Sequence, residues 1–352
     1  MKWACVVRQG GVGDNLIASS VFPSLRAKYG RLEVISREPN HVVYENNPHI
    51  DKLTVWPENE APEDALTWAR YMHRRGYGYD FYANLAHSCE ITLALMEGQT
   101  AFWWSDAMRR YMCGHSYVEY VHRICGVPFD EPQIGFFPTH EEMNQAWKTA
   151  QKIRQAHQPL IAWCVSGSRI DKIYPYSHFV IARLISELNA IVVMLGAPGK
   201  DFEITKQIQE QVIKQNGSDK NLHQGISPDP KNPSWPVRRI LSFLRVCDIV
   251  ISPDTGPPWS VAMEEQHKIM LLSHASPLNI THKWRNTITL HASQEAVSCW
   301  PCHRLQDNWE TCRKHEAANA AACMADISAQ KVIQAVKTVL SGKHFTIKGD
   351  TK

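Results

Sequence analysis

Arg8-Gln-Gly-Gly-Val-Gly-Asp-Asn-Leu-Ile-Ala-Ser-Ser-Val-Phe-Pro23 decides how the rest of the chain is read. Residues 3–7 before it are a short apolar run, and residues 15–29 place Leu16, Ser19, Ser20, Phe22 and Leu25 on one largely apolar helical face. The pattern is strand, tight glycine turn, helix, the opening unit of an open α/β sheet. Gly10, Gly11 and Gly13 let another molecule approach the backbone, and Asp14 stands where the helix begins, at the end of the sheet where such folds take ligands. Asp14 has two readings: a carboxylate capping the helix, or an ionisable group placed where a substrate arrives.

The chain has 352 residues, enough for two domains of roughly 150 to 180 residues each. Hydrophobic residues make up 44% and charged ones 21%, and the net charge of +3 is dispersed, which gives no bulk reason to expect nucleic acid. No stretch approaches the roughly 20 apolar residues that span a bilayer, so the expectation is a soluble, cytoplasmic protein. Cys5, Cys89, Cys113, Cys125, Cys164 and Cys247 sit singly in apolar surroundings and suit reduced core thiols.

Short strand-like runs at 32–36, 53–56 and 79–85 alternate with helical or turn-rich segments, the pattern of a parallel sheet covered by helices. Residues 60–75 form a helix that stops at Gly76. Residues 101–114 carry Trp103, Trp104, Arg109, Arg110 and Tyr111, which could line an acceptor groove or fill a second core layer. Residues 129–138 read as strand-like and 141–157 as a polar helix, and the domain boundary is set near 155. Residues 160–165 then repeat the opening plan, ending in a small-residue turn before a helix at 177–188. The divisions expected are 1–155, 156–327 and a last helix with its tail over 328–352.

Three places in this second half carry chemistry. In Ser166-Gly-Ser-Arg-Ile-Asp-Lys-Ile-Tyr-Pro175, small residues leave room for a phosphate, and Arg169 and Lys172 supply positive charge; read alone, Lys172 is also an ordinary loop lysine. The strand 191–195 runs into Gly196-Ala-Pro-Gly-Lys-Asp201, which is not a P-loop, because the glycine spacing is wrong and Asp201 replaces Ser or Thr. The strand 247–252 turns through Pro253-Asp-Thr-Gly-Pro-Pro258 into a helix expected at 259–265, where the N–H groups of Thr255, Gly256 and Trp259 would meet an anion.

Taken together, Arg-x-Gly-Gly-x-Gly-Asp with Pro23, the small-residue turn before Lys172-x-Tyr-Pro, and Asp254-Thr-Gly after a strand resemble the family 9 glycosyltransferases, which include the ADP-heptose heptosyltransferases. The resemblance implies a GT-B architecture: two facing Rossmann-like domains, acceptor on the first and nucleotide-sugar on the second, with the last helix crossing back to the first. It implies inverting transfer with Asp14 as general base. Lys172 would act on the departing diphosphate, and Gly11, Gly13, Ser168, Arg169, Gly196, Asp254, Thr255, Gly256 and Trp259 would bind substrate. The acceptor would be a bacterial surface glycan or a protein, and a lipid-linked acceptor would bring the protein to the inner face of the membrane. The sequence has no Asp-x-Asp, so no cofactor is implied for catalysis. One departure stands out: the family has histidine where this chain has Trp259, which bears on the donor sugar.

Cys299-Trp-Pro-Cys302, Cys312 and Cys323 have the spacing C-x2-C-x9-C-x10-C, compatible with a structural four-thiolate zinc or iron knuckle, with reduced thiols or with a labile disulfide. Two other classes compete with this reading. An NAD-dependent oxidoreductase would need a third glycine where Leu16 stands and an acid where Ser36 and Arg37 stand. A non-catalytic nucleotide-sugar-binding relative is the second.

Overall fold

Strands β1 (Lys2–Val7), β2 (Gly30–Arg37), β3 (Lys52–Trp56) and β4 (Phe81–Asn84) form one parallel sheet in the order β3-β2-β1-β4. After the two-residue strand β5 (Leu95–Met96) comes a second parallel sheet. It is built from β6 (Leu160–Cys164), β7 (Ile191–Leu195), β8 (Leu222–Gln224), β9 (Ile249–Pro253), β10 (His267–Leu272) and β11 (Thr287–His291). Its order, β11-β10-β9-β6-β7-β8, is that of a complete doubly wound sheet, and the first sheet has the same order without its last two strands. Every residue of β6, β7 and β9 is buried, as a sheet covered on both faces requires. The molecule is therefore two facing Rossmann-like domains with a cleft between them, as the sequence implies.

This computed structural model describes residues 2–56, 65–130, 133–155, 157–229, 231 and 233–342. The start of the helix expected at 60–75 and most of the tail expected after 341 lie outside the described residues.

The segment expected as one helix over 15–29 is two, Val12–Ser19 and Phe22–Tyr29. Pro23 sits in the first turn of the second, where its missing N–H does no harm. The Ser19 and Ser20 hydroxyls donate back to the Leu16 and Ile17 carbonyls at 2.6 and 2.7 Å, closing the first helix. Residues 133–138 pair with no strand among the described residues. The carbonyls of Phe136 and Phe137 accept instead from Arg245 and Arg238, at 2.8 and 3.0 Å, on the helix Val237–Leu244 and just after it.

Two helices lie elsewhere than the sequence reading put them. His140–Ile153, assigned to the first domain by a boundary near 155, buries Ala146 and Ala150 against Leu160, Ala162 and Phe243 of the second. The last helix, Ala329–Ser341, does not cross back. Val332, Ile333 and Val336 join Ile161, Val180 and Leu184 in the second domain's core, and Lys337 pairs with Glu187 at 2.8 Å. What returns to the first domain is the cysteine-bearing segment before it. There β12 (Arg304–Leu305) pairs with β5, the Leu95 N–H donates to the His303 carbonyl at 2.7 Å, and Arg109 Nε donates to the Cys302 carbonyl at 2.8 Å.

The domains also share an apolar core, in which Leu16, Phe22 and Leu25 pack with Leu241, Trp259, Met270 and Trp284. At its edge the two glycine turns touch. A Cβ on Gly256 would lie 2.8 Å from Val12 Cβ and 2.9 Å from Gly13 N, and one on Gly13 would lie 3.1 Å from Gly256 Cα. Only a backbone without side chains allows this approach. Gly256→Ala should therefore lower unfolding stability by about 1–3 kcal/mol, measured by urea denaturation; an unchanged midpoint would show that the domains do not close on this contact.

Candidate active site

A cavity of about 570 Å³ opens between the domains at the carboxyl ends of β1, β6, β7 and β9, the crevice where doubly wound sheets take ligands. The first domain contributes Gly11, Gly13 and Asp14; the second contributes Ser168, Lys172, Gly196, Asp254, Thr255, Gly256 and Trp259. One candidate is absent from this lining. Arg169 forms an ion pair with Asp307, in the loop after β12. A larger hollow of about 820 Å³ behind the domain junction, bordered by His49, Phe136 and Arg245, holds none of the candidate residues.

Asp14 occupies the third position of its helix, and one carboxylate oxygen accepts the Gly11 N–H at 2.7 Å, so the capping geometry is present. The other oxygen lies 3.0 Å from Arg8 Nη2. The same nitrogen donates to Glu90 Oε1 at 2.8 Å, while Arg8 Nη1 donates to the Leu85 carbonyl at 2.9 Å. Arg8 is only 1% exposed and pins both carboxylates to the end of β1. The Asp14 side chain keeps 26% of its surface accessible, from the cavity side. Burial raises its carboxyl above the ordinary value and Glu90 adds to the rise, against the charges of Arg8 and Lys172 and the Gly11 hydrogen bond. Glu90 also lines the cavity, and its second oxygen is buried without a hydrogen-bond partner.

Across the cleft, Lys172 Nζ lies 3.3 Å from Asp254 Oδ2. The Gly167 position keeps the lysine stem in place, since a Cβ there would lie 2.5 Å from Lys172 Cδ. Asp201 ties the turns after β6 and β7 together by accepting from the Ser166 hydroxyl and, at 2.8 Å, from the Ala197 N–H. The helix expected at 259–265 is instead a short 3₁₀ turn, Pro257–Val261, and the Trp259 N–H is taken by the Gly256 carbonyl at 3.2 Å. Two consecutive prolines with a glycine before them favour this tight turn over a longer helix. Trp259 is 2% exposed, and its indole meets Trp284 edge to face at 4.8 Å.

The aromatic segment divides between the two readings given for it. Phe102 and Arg109 are buried, whereas Trp103 and Tyr111 are exposed at 65% and 79%, and neither borders the cavity.

Cys299, Cys302, Cys312 and Cys323 are free thiols near one another, and burial raises each of them, Cys302 and Cys312 to about 12. Among the described residues, no three His, Cys, Asp or Glu side chains are arranged as a metal ligand set. Nor is any helix of the described residues long and apolar enough to cross a membrane.

No family profile matches the sequence, and no curated protein matches it. Solved structures do. The chain is similar to a family 9 glycosyltransferase from Veillonella parvula, at 16% identity over 97% of this chain and 98% of that one, with a TM-score of 0.66. It is similar to the E. coli ADP-heptose lipopolysaccharide heptosyltransferase II at 14% identity, over 96% and 99% of the two chains, with a TM-score of 0.63. It is also similar to the iron-containing dodecameric glycosyltransferase TibC of enterotoxigenic E. coli at 11% identity, over 97% of this chain and 78% of that one, with a TM-score of 0.56. The chain thus has the GT-B fold of these glycosyltransferases along nearly its whole length.

A carboxyl with a pKa higher in the folded than in the unfolded chain supports folding while it is protonated and loses that support as pH rises through the folded value. Charged Asp14 therefore weighs against folding at neutral pH. Asp14→Asn, which can keep the Gly11 hydrogen bond, should raise the melting temperature at pH 7 to 8, with the gain shrinking toward pH 4; a less stable Asn variant at pH 7 would contradict this.

Proposed function

We propose that the cleft carries out inverting transfer of a sugar, with heptose the first candidate, from a nucleoside-diphosphate donor to a hydroxyl of a bacterial surface glycan. The observation that supports this best is that Asp14 of one domain and Lys172 of the other line a single cavity at the carboxyl ends of two facing sheets. Asp14 takes the acceptor hydroxyl's proton as that oxygen bonds to the anomeric carbon, and the bond from that carbon to the diphosphate breaks with inversion. Lys172, with backbone N–H groups at Thr255 and Gly256, receives the charge of the leaving diphosphate. These groups do the work that a divalent ion does elsewhere, so the transfer proceeds without one. A protein hydroxyl is the alternative acceptor, and a lipid-linked glycan would draw the enzyme to the inner face of the membrane. The cysteine segment is the place for a structural zinc or iron, and elemental analysis of purified protein tests that assignment.

The buried Trp259 in the cavity wall favours a second reading, a nucleotide-sugar-binding protein without turnover. Release of nucleoside diphosphate from ADP-, UDP- and GDP-sugars in the presence of glycan acceptors separates the two. Turnover should fall by about 10²–10⁴ in Asp14→Asn and by about 10²–10³ in Lys172→Met, with donor binding retained in the first. Saturable binding with no turnover in the unaltered protein would establish the binder instead.

A further inference from the structure

We propose that His274 is a diphosphate-binding group of this cavity, an assignment that rests on the nucleotide-sugar reading above. His274 follows β10, is 1% exposed, and borders the cavity beside Lys172 and Asp254. Its Nδ1 lies 3.3 Å from Asp171 Oδ2. That carboxylate is itself fixed: Oδ2 accepts the Ser273 hydroxyl at 2.9 Å and Oδ1 accepts the Gln306 N–H at 3.2 Å. Asp171 is held below the usual carboxylate range, because although burial raises it, the hydrogen bond and charge of His274, with Lys172 and Ser273, outweigh that. Asp171 and the Ser273 hydroxyl, 3.2 Å from Nδ1, hold the ring on that side and leave Nε2 on the side of Asp254, another residue of the cavity wall.

Nε2 is buried and has no hydrogen-bond partner; Asp254 Oδ2, at 3.9 Å, is beyond reach. A buried polar nitrogen is not left unpaired without cost, and a ligand in the cavity would pair it. The local charge indicates which ligand. Lys172 is paired with Asp254 at 3.3 Å, so a diphosphate bound beside it has use for a further partner. A hydrogen bond between Nε2 and a phosphate oxygen would supply that further partner, with Asp171 and Asp254 on either side of the ring.

Calorimetric titration of ADP, UDP and GDP, and of the matching nucleosides, into the unaltered protein and His274→Asn tests this. The unaltered protein should bind one diphosphate more tightly than its nucleoside. The variant should lose about tenfold or more in affinity for the diphosphate and keep its affinity for the nucleoside. Equal loss for both ligands would mean that the ring only supports the fold and would overturn the assignment, as would an unchanged diphosphate affinity. An unaltered protein that binds none of these nucleotides would overturn the nucleotide-sugar reading as well. If His274→Asn does not fold, His274→Gln is read in the same way.

Discussion

Two backbone turns from different domains meet where neither has a side chain. Gly13 begins the first helix after β1, and Gly256 lies in the turn after β9; a methyl group on either would strike the other domain's chain. This contact sets how closely the two sheets face each other. Because each turn lies at the carboxyl end of its own sheet, the same approach brings both ligand-binding edges onto one cavity. The shared apolar core below, from Phe22 to Trp284, makes that approach favourable and excludes water from one side of the cavity.

The charges in the cavity follow from this closure. Asp14 and Glu90 on one wall depend on Arg8, which is buried and bonded at three points. On the other wall, Lys172 and Asp254 face each other above Asp171 and His274. Ionised groups taken out of water need partners, and here nearly every charge is met by an opposite one a few ångströms away. Among the buried atoms without a hydrogen-bond partner, Glu90 Oε2, Tyr117 Oη and His274 Nε2 belong to residues of the cavity wall. Unpaired polar atoms at a cavity wall are where a ligand gains most from binding.

How much of this was legible in the sequence depended on distance along the chain. The runs at 160–165 and 191–195 are apolar without interruption because both faces of those strands are covered, and they were found almost to the residue. The edge strand β8, Leu-His-Gln, is three residues long and partly solvated, so no periodicity marked it. Residues 129–138 looked strand-like because they are extended and apolar, but their carbonyls go to arginines about a hundred residues away. The glycine turns were readable from local spacing, whereas Lys172, which borders the same cavity, reads alone as an ordinary loop lysine and was singled out only by the resemblance. Glu90, Asp171 and His274 were not, since each acquires a role from a partner 82 or more residues distant.

The position of Trp259 follows from the same closure. The sequence resemblance expects a histidine there, and an indole in its place first reads as a lost ligand contact. In the structure the ring also serves the junction: it lies against Gly13 of the first domain, within 3.2 Å of where a Cβ on that glycine would be, and packs edge to face on Trp284. A buried tryptophan adds apolar contact area that a histidine could not, and it does so where the two glycine turns meet. In this chain the position therefore serves the domain contact. The polar side chains on this side of the cavity then come from just after β10 and from the turn after β6, which carry His274 and Lys172.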